Sequence, residues 1–426
     1  MSNNLIIINA RIMTPQGRTA RKGKEMNELL TIPFGTVEVT EGIITYVGTS
    51  RINDPKPGYE ILDARGQVLL PGFIDSHTHL VFGNLRINEF IWRLNGDSYM
   101  SIMKRGGGIF NTVDATRATS PDDLRKKAEG LIDIMSSMGV TTVEGKSGYG
   151  LDRENELKQL EVMQAINLNP NRKVDIIPTF LGAHAVPEEY QGRSNAYIDF
   201  LINEMLPTIR ERQLAENCDI FCEKGVFTVN QSRRLLKAAQ NMGFGIKIHA
   251  DELTSFGGAE LAAELKALSA DHLLHASDEG IRALAENNVV ATLLPLTAFS
   301  LKEPYARGRE MIDSGCAVAL ATDLNPGSAF SGSIPLLFSL ACIYMKMTVA
   351  EVITSLTLNA AAAIGHANQI GSIETCKQGD FALLSIDTPN IMPYHIGMNN
   401  VQITIKAGRI IYPYTSTNPN EDEEPC

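Results

Sequence analysis

Between residues 71 and 365 an apolar segment is followed by an amphipathic one about eight times, and this alternation restricts the chain's fold more than any other feature. The apolar segments are VLLPGFIDSHTH, GVTTVEGKSG, VDIIPTFLGAH, CDIFCEKG, FGIKIHADE, LSADHLLHAS, VVATLLPLT and CAVALATDLNPG. They are continuous runs of Val, Ile, Leu and Ala, the composition that a parallel sheet covered by helices demands. Helices are predicted between them, for example at Pro121–Met138, Glu154–Ile166, Gln231–Met242 and Ser277–Asn287. Eight such units fit an α/β fold of the closed, TIM-like (β/α)8 barrel type, whose active site forms at the C-terminal ends of the strands. A doubly wound open sheet would also alternate, but no GxGxxG opens a first strand–helix turn; Arg105-Gly106-Gly107-Gly108 is not that motif.

Short β-rich runs precede and follow this middle: LIIINARIMT, GTVEVTEGIITYVGT and EILDARGQVLL before it, GSIETCKQGDFALLSID and VQITIKAGRIIYP after it. They predict one small β-sandwich domain built from both chain ends, residues 1–70 with 366–415, beside a barrel over 71–365. Residues 416–426 are polar and acidic and read as a disordered tail.

Composition narrows the partners. A net charge of -11 argues against nucleic acid or an anionic membrane, and favours a small substrate. If that substrate is anionic, a local Arg or Lys must hold it. The start, MSNNLIIINA, lacks the basic and long apolar regions of a signal peptide, and no uncharged apolar run is long enough for a membrane span. The expected location is the cytoplasm, where the six cysteines stay reduced.

Ligand-type residues recur where the apolar segments end. His77 and His79 close the first, His184 the third, His249 the fifth, His272 the sixth and Asp323 the eighth; with His275, six of the eight histidines fall into this pattern. On a strand, residues i and i+2 share a face about 6–7 Å apart, so His77 and His79 can address one ion. A catalytic mononuclear site needs three or four N/O ligands and an open position for water. His77, His79, His249 and Asp323 supply such a set without a thiolate, which suits zinc or iron. Taken alone, His249 reads as a hydrogen-bonded core histidine, and Asp323 as an Asx-turn or helix-cap aspartate. Glu252, three residues after His249 in HADE, can shuttle a proton beside a metal.

These residues resemble the amidohydrolase superfamily through PGFIDSHTH, HADE, SADHL and ATD. More specific blocks, HLVFGNLRINEF, RGGGIFNTVDATR, EGKSGYGLDRENELKQL, TFLGAHAVPEEY, GVFTVNQSRR, KIHADEL and ATDLNPGS, resemble in order those of the imidazolonepropionase family. The resemblance spans nearly the whole chain. It implies one Zn2+ or Fe3+ ion per chain on His77, His79, His249 and Asp323. It implies substrate contacts from Arg86, Tyr149, His184 and Glu252, with Asn325, Gly327 and Ser328 in the loop after Asp323, and with Tyr99 as a further contact. The implied reaction is hydrolysis of 4-imidazolone-5-propanoate to N-formimino-L-glutamate in histidine degradation; the chemistry of that reaction then suggests Glu252, His272 and Asp323 as its catalytic groups. A homodimer is suggested by the class.

The chemistry is coherent with that set. A propionate tail wants a guanidinium fork, which Arg86 can provide, although a solvated loop charge is the commoner fate of an arginine. Tyr149, in Lys146-Ser147-Gly148-Tyr149-Gly150, can donate a hydroxyl, or can merely pack on the rim. His272 competes with His275 for the site. Two features depart from the pattern. Binuclear relatives carry a bridging lysine at the fourth strand end, where this chain has Cys222-Glu223-Lys224-Gly225, so Lys224 leaves a second metal open; and Leu324 replaces an aromatic residue. Two other functions use similar motifs: a mononuclear deaminase of a nucleobase-like ring, and a non-catalytic scaffold. The first would not need Arg86, and the second would have lost metal ligands.

Overall fold

The computed structural model describes residues 3–49, 57–97, 105 and 107–413; Tyr99 and the acidic 416–426 segment lie outside the described residues. Strands β1 (Leu5–Thr14), β2 (Leu30–Thr40), β3 (Ile43–Thr49), β4 (Glu60–Asp63) and β5 (Val68–Pro71) come from the start of the chain. The middle supplies β6 (Phe73–Asp75), β7 (Val140–Lys146), β8 (Asp175–Ala183), β9 (Asn217–Cys222), β10 (Gly245–Ala250), β11 (Ser269–His272), β12 (Val290–Leu293) and β13 (Ala317–Leu320). The end adds β14 (Phe381–Leu384), β15 (Val401–Lys406) and β16 (Arg409–Tyr412).

The strands form two sheets. One runs β16-β15-β14-β5-β1-β2-β3 with β4 paired to β1, so the antiparallel β5–β14 pair stitches the two chain ends together. The sandwich expected there takes the form of one hydrogen-bonded sheet of eight strands, in which Leu5, Ile7, Val37, Leu69, Phe381 and Ile405 share a single apolar core. The other is the barrel, β6 to β13 in sequential parallel order.

The run VLLPGFID serves both sheets. Its first half is β5 and its second half β6, and the break falls at Gly72. A Cβ there would collide with the Thr141 side chain, so the chain can pass so close to β7 only as glycine.

Helices cover the barrel for local reasons. In Pro121–Ser137 the Ser120 side chain caps the Asp123 amide, Pro121 takes the first turn, and Leu124, Ala128, Ile132 and Met135 form the buried stripe. The helix predicted from Gln231 begins at Val229, because Thr228 and Gln231 make a reciprocal capping box.

Barrel closure positions the site. Asp323 N donates to His77 O at 3.0 Å and His79 N to Leu324 O at 2.9 Å, joining the C-terminal ends of β13 and β6. Beneath this seam the Asp75 carboxylate accepts from Thr322 N at 3.0 Å and Thr322 Oγ1 at 2.5 Å. His77, His79 and Asp323 are therefore fixed by the same backbone bonds that shut the barrel.

Candidate active site

Five strand ends converge on one buried pocket. The His77 ring centroid lies 5.4 Å from that of His79, 4.6 Å from His249 and 5.2 Å from His272. Asp323 Oδ1 is 3.5 Å from His77 Nε2 and 3.6 Å from His79 Nε2. Its other oxygen accepts from Thr297 Oγ1 at 2.6 Å, which aims Oδ1 at the histidines. Asp323 and His272 both hold positive φ, 52° and 78°, the kind of backbone strain that collects where function fixes a side chain.

The donor set fits a metal ion. One ligand atom each from His77, His79 and Asp323 lie within 4.8 Å of one another, as do those of His77, His249 and His272. Nε2 of His77 and of His249 is buried without a hydrogen-bond partner. Leaving such a group unpaired costs about 1–3 kcal/mol, which a cation in the pocket offsets. Burial, and then nearby Lys146, keeps His77 well below the usual imidazole range; burial, and then His184, does the same for His79. Both rings are therefore neutral with lone pairs to give. Burial lifts the Asp323 carboxyl to about 6 against the Thr297 hydrogen bond and His249.

Around this cluster stand the polar groups of the strand-end loops. Glu252 Oε2 is 3.6 Å from His272 Nε2, and burial, reinforced by Asp323, raises its carboxyl to about 8. Its neighbours on both sides are clamped. Asp251 Oδ1 accepts from Phe256 N at 2.7 Å, Gly257 N at 3.0 Å and Gly258 N at 3.2 Å, and its Oδ2 accepts from Ala259 N at 2.9 Å. Glu223 Oε2 accepts from Leu253 N at 2.9 Å and Thr254 N at 3.3 Å. His184 stacks on His79 with centroids 5.1 Å apart, and its Nδ1 donates to Gly148 O at 3.1 Å. Burial drives the His184 imidazolium down to about 3, so the ring is neutral. Burial also pushes the Tyr149 phenol up, keeping it a hydroxyl.

Arg86 lies on the rim, just before the helix Ile87–Leu94. Its amide donates to Pro326 O at 3.2 Å, and its guanidinium lies so close over Gly327 that any Cβ there would overlap it. The charge reaches inward, since it bears on both Tyr149 and His184. Arg86 Nε is buried without a hydrogen-bond partner, and Nη1 is a loose 3.7 Å from Glu89, leaving the fork free to take an anion. Asn325 spends its amide within its own loop: Oδ1 accepts from Gly327 N and Ser328 N, both at 2.8 Å, and Nδ2 donates to Asp323 O at 2.7 Å. It shapes the loop, and Ser328 Oγ is bonded to it at 2.9 Å.

His275 is exposed, whereas His272 is buried among the other imidazoles. His366 pairs with Glu216 and His395 with Asn400, outside the site. Lys224 is exposed, and the fourth strand turns Asp219 toward the cluster instead, with Oδ2 3.0 Å from His249 Nδ1. Sequence reasoning missed Asp219, Asp271, Glu144, Lys146 and Lys247, which form a buried ionic layer under the histidines. The available signal was spacing: Glu144 and Lys146, and Lys247 and His249, are charged or basic pairs two residues apart inside otherwise apolar strands.

A closed parallel barrel with an imidazole and carboxylate pocket at its C-terminal rim defines a metal-dependent hydrolase, and the chain belongs to the amidohydrolase family, whose model matches residues 68–411. Within it the chain falls among the imidazolonepropionases. It is 77% identical over 412 residues to the imidazolonepropionase of Phocaeicola vulgatus, covering 97% of this chain and 100% of that one. It is 67% identical over 416 residues to that of Bacteroides thetaiotaomicron, again covering 97% and 100%. The backbone also matches a 5-methylcytosine deaminase from Klebsiella pneumoniae with a TM-score of 0.71, over 95% of this chain and 97% of that one. At 17% identity that likeness is one of fold alone.

Proposed function

We propose that this chain hydrolyses 4-imidazolone-5-propanoate to N-formimino-L-glutamate, a step of histidine degradation. The observation that carries the reading is Arg86, with an unpartnered guanidinium nitrogen, on the rim beside Gly327 where its charge reaches Tyr149 and His184. A ring bearing a carboxylate tail uses that fork, and a neutral nucleobase does not.

In this reading His77, His79, His249 and Asp323 hold one Zn2+ or Fe3+ ion, which supplies Lewis-acid polarisation and lowers the pKa of water toward about 7. Arg86 takes the propionate, and Tyr149 donates its hydroxyl to the bound molecule. Asp323 orients the attacking water and takes the proton it loses as oxygen adds to the ring carbonyl carbon. His184 and His272 line the side on which the carbonyl oxygen gains charge. The ring C–N bond then breaks, and Glu252 delivers a proton to the departing nitrogen. Burial, which raises the Glu252 carboxyl to about 8, favours the protonated acid that this step requires. The proton taken by Asp323 then passes to Glu252 and restores it, so the net transfer is from water to nitrogen, and the open product departs with its amidine and its new carboxyl group, which ionises in solvent.

The test is to incubate metal-replete protein with imidazolone propanoate and follow the loss of its ultraviolet absorbance. Rapid loss with formation of formiminoglutamate is expected. Turnover of cytosine or guanine in preference to this substrate would transfer the assignment to a deaminase.

A further inference from the structure

Asp219 and Asp271 each divide their two oxygens in the same way. Asp219 Oδ1 accepts from Ile220 N at 2.7 Å and Asp271 Oδ1 from Ser269 Oγ at 2.6 Å, so each carboxylate is pinned from behind. Each turns Oδ2 toward one histidine: Asp271 to His77 Nδ1 at 2.7 Å, Asp219 to His249 Nδ1 at 3.0 Å. A carboxylate can only accept, so the hydrogen-bonded His77 ring carries hydrogen on Nδ1 and presents a bare Nε2 to the pocket; His249 lies at ion-pair distance from Asp219, which turns its Nδ1 edge toward that carboxylate and its Nε2 edge away from it. Between these two oxygens lies one ammonium group. Lys146 Nζ is 2.7 Å from Asp219 Oδ2, 3.6 Å from Asp271 Oδ2 and 2.9 Å from Glu144 Oε2, and all four side chains are fully buried. Lys247 Nζ contacts Asp271 Oδ2 and Glu144 Oε2, both at 3.4 Å, but no contact joins it to Asp219.

We infer that Lys146 is a positioning residue, a single buried cation that holds Asp219 and Asp271 in register and through them sets the aim of His249 and the tautomer and aim of His77. Burial alone would disfavour the three carboxylates, and without Lys146 only Lys247, 3.4 Å from Asp271 and Glu144, would remain to offset their mutual repulsion. Asp219 would then lose its one cationic partner other than the histidine it orients. The inference rests on His77 and His249 being metal ligands, so the test must separate the two claims.

Metal affinity of purified protein, measured by competition with a chelator, is the primary readout, with the visible absorption of cobalt-loaded protein as the second. Lys146→Met and Asp219→Asn are expected to bind metal about 10–100-fold more weakly than wild type, the usual cost of losing a residue behind a ligand. Both should alter the cobalt spectrum. Lys377→Met is the comparison for a purely structural loss, because Lys377 is equally buried but donates to Gly17 O and Ala367 O, both at 2.7 Å, far from the site. It is expected to lower the thermal midpoint and leave metal affinity and spectrum as they were. If Lys146→Met does not fold, Asp219→Asn carries the test alone. Wild-type metal affinity in the folded variants overturns the inference, as does a loss no larger than that of Lys377→Met. His249→Ala guards the premise: it is expected to lose the metal, and retention there would overturn the ligand assignment itself.

Discussion

The proposed substrate rests on Arg86, because a histidine–carboxylate pocket serves many hydrolytic reactions while a guanidinium on the rim answers a carboxylate tail. Replacing Arg86 with Ala should weaken binding of imidazolone propanoate by roughly 1.5–3 kcal/mol, the range for hydrogen bonds to charged groups. Titration of metal-loaded protein with an analogue whose carboxylate is neutralised should show no such loss. Equal losses for the acid and neutral analogues would mean that Arg86 supports the loop and not the ligand. Glu252→Gln keeps the side chain's size but cannot transfer a proton. It should retain metal and fold while turnover falls about 10²–10⁴-fold, as measured by steady-state kinetics beside elemental analysis. Glu252 was legible because it follows a strand end, where a polar side chain after an apolar run has few structural uses, whereas Arg86, before the helix Ile87–Leu94, was legible only through the resemblance and the charge a propionate calls for. Lys146, Asp219 and Asp271 were not, since a charge within a strand declares nothing of its partners until neighbouring strands bring them to within hydrogen-bonding distance.

At the scale of elements, the loop after β10 shows how backbone places Glu252, the proposed proton donor. Asp251, in the left-handed region at φ 50°, gathers four amides from Phe256 to Ala259, while Glu223 holds the amides of Leu253 and Thr254. Glu252 is confined between them. Asp251→Ala should therefore lower turnover without removing the metal, and destabilise the fold by about 1–3 kcal/mol through its orphaned amides. Kinetics, metal content and urea denaturation on one preparation would decide it; unchanged kcat would free Glu252 from dependence on this clamp. Strand existence and order were readable from apolar runs and their spacing. Boundaries were less so: VLLPGFID reads as one strand, and only the close approach of Thr141 to Gly72 explains why it divides between two sheets.

At the scale of the whole molecule, the end sheet and the barrel are joined by polar ties that neither sheet's pattern announces. Thr404 Oγ1 donates to Ser136 O at 2.7 Å and Asn399 Nδ2 to Ser137 O at 2.8 Å, fastening β15 and the turn before it to the end of the helix Pro121–Ser137. Another tie is ionic. Lys406 Nζ on β15 lies 2.7 Å from Asp175 Oδ2 on β8 and 2.9 Å from Asp380 Oδ2. Burial works against the Asp175 carboxylate, but Lys406 and Arg172 prevail and hold its pKa down at about 2, below its ordinary 3.8. A carboxyl whose folded pKa is depressed stabilises the fold above its unfolded pKa and loses that contribution as pH falls through the folded value. At about 1.4 kcal/mol per pKa unit, Asp175→Asn should cost about 2 kcal/mol near neutral pH. The gap between wild type and variant in urea denaturation should be full at pH 7 and visibly smaller by pH 3, because part of the wild-type carboxylate's advantage has by then been titrated away. A gap that stays constant over that range would show that Asp175 joins the two sheets by packing and hydrogen bonding, with its charge contributing nothing.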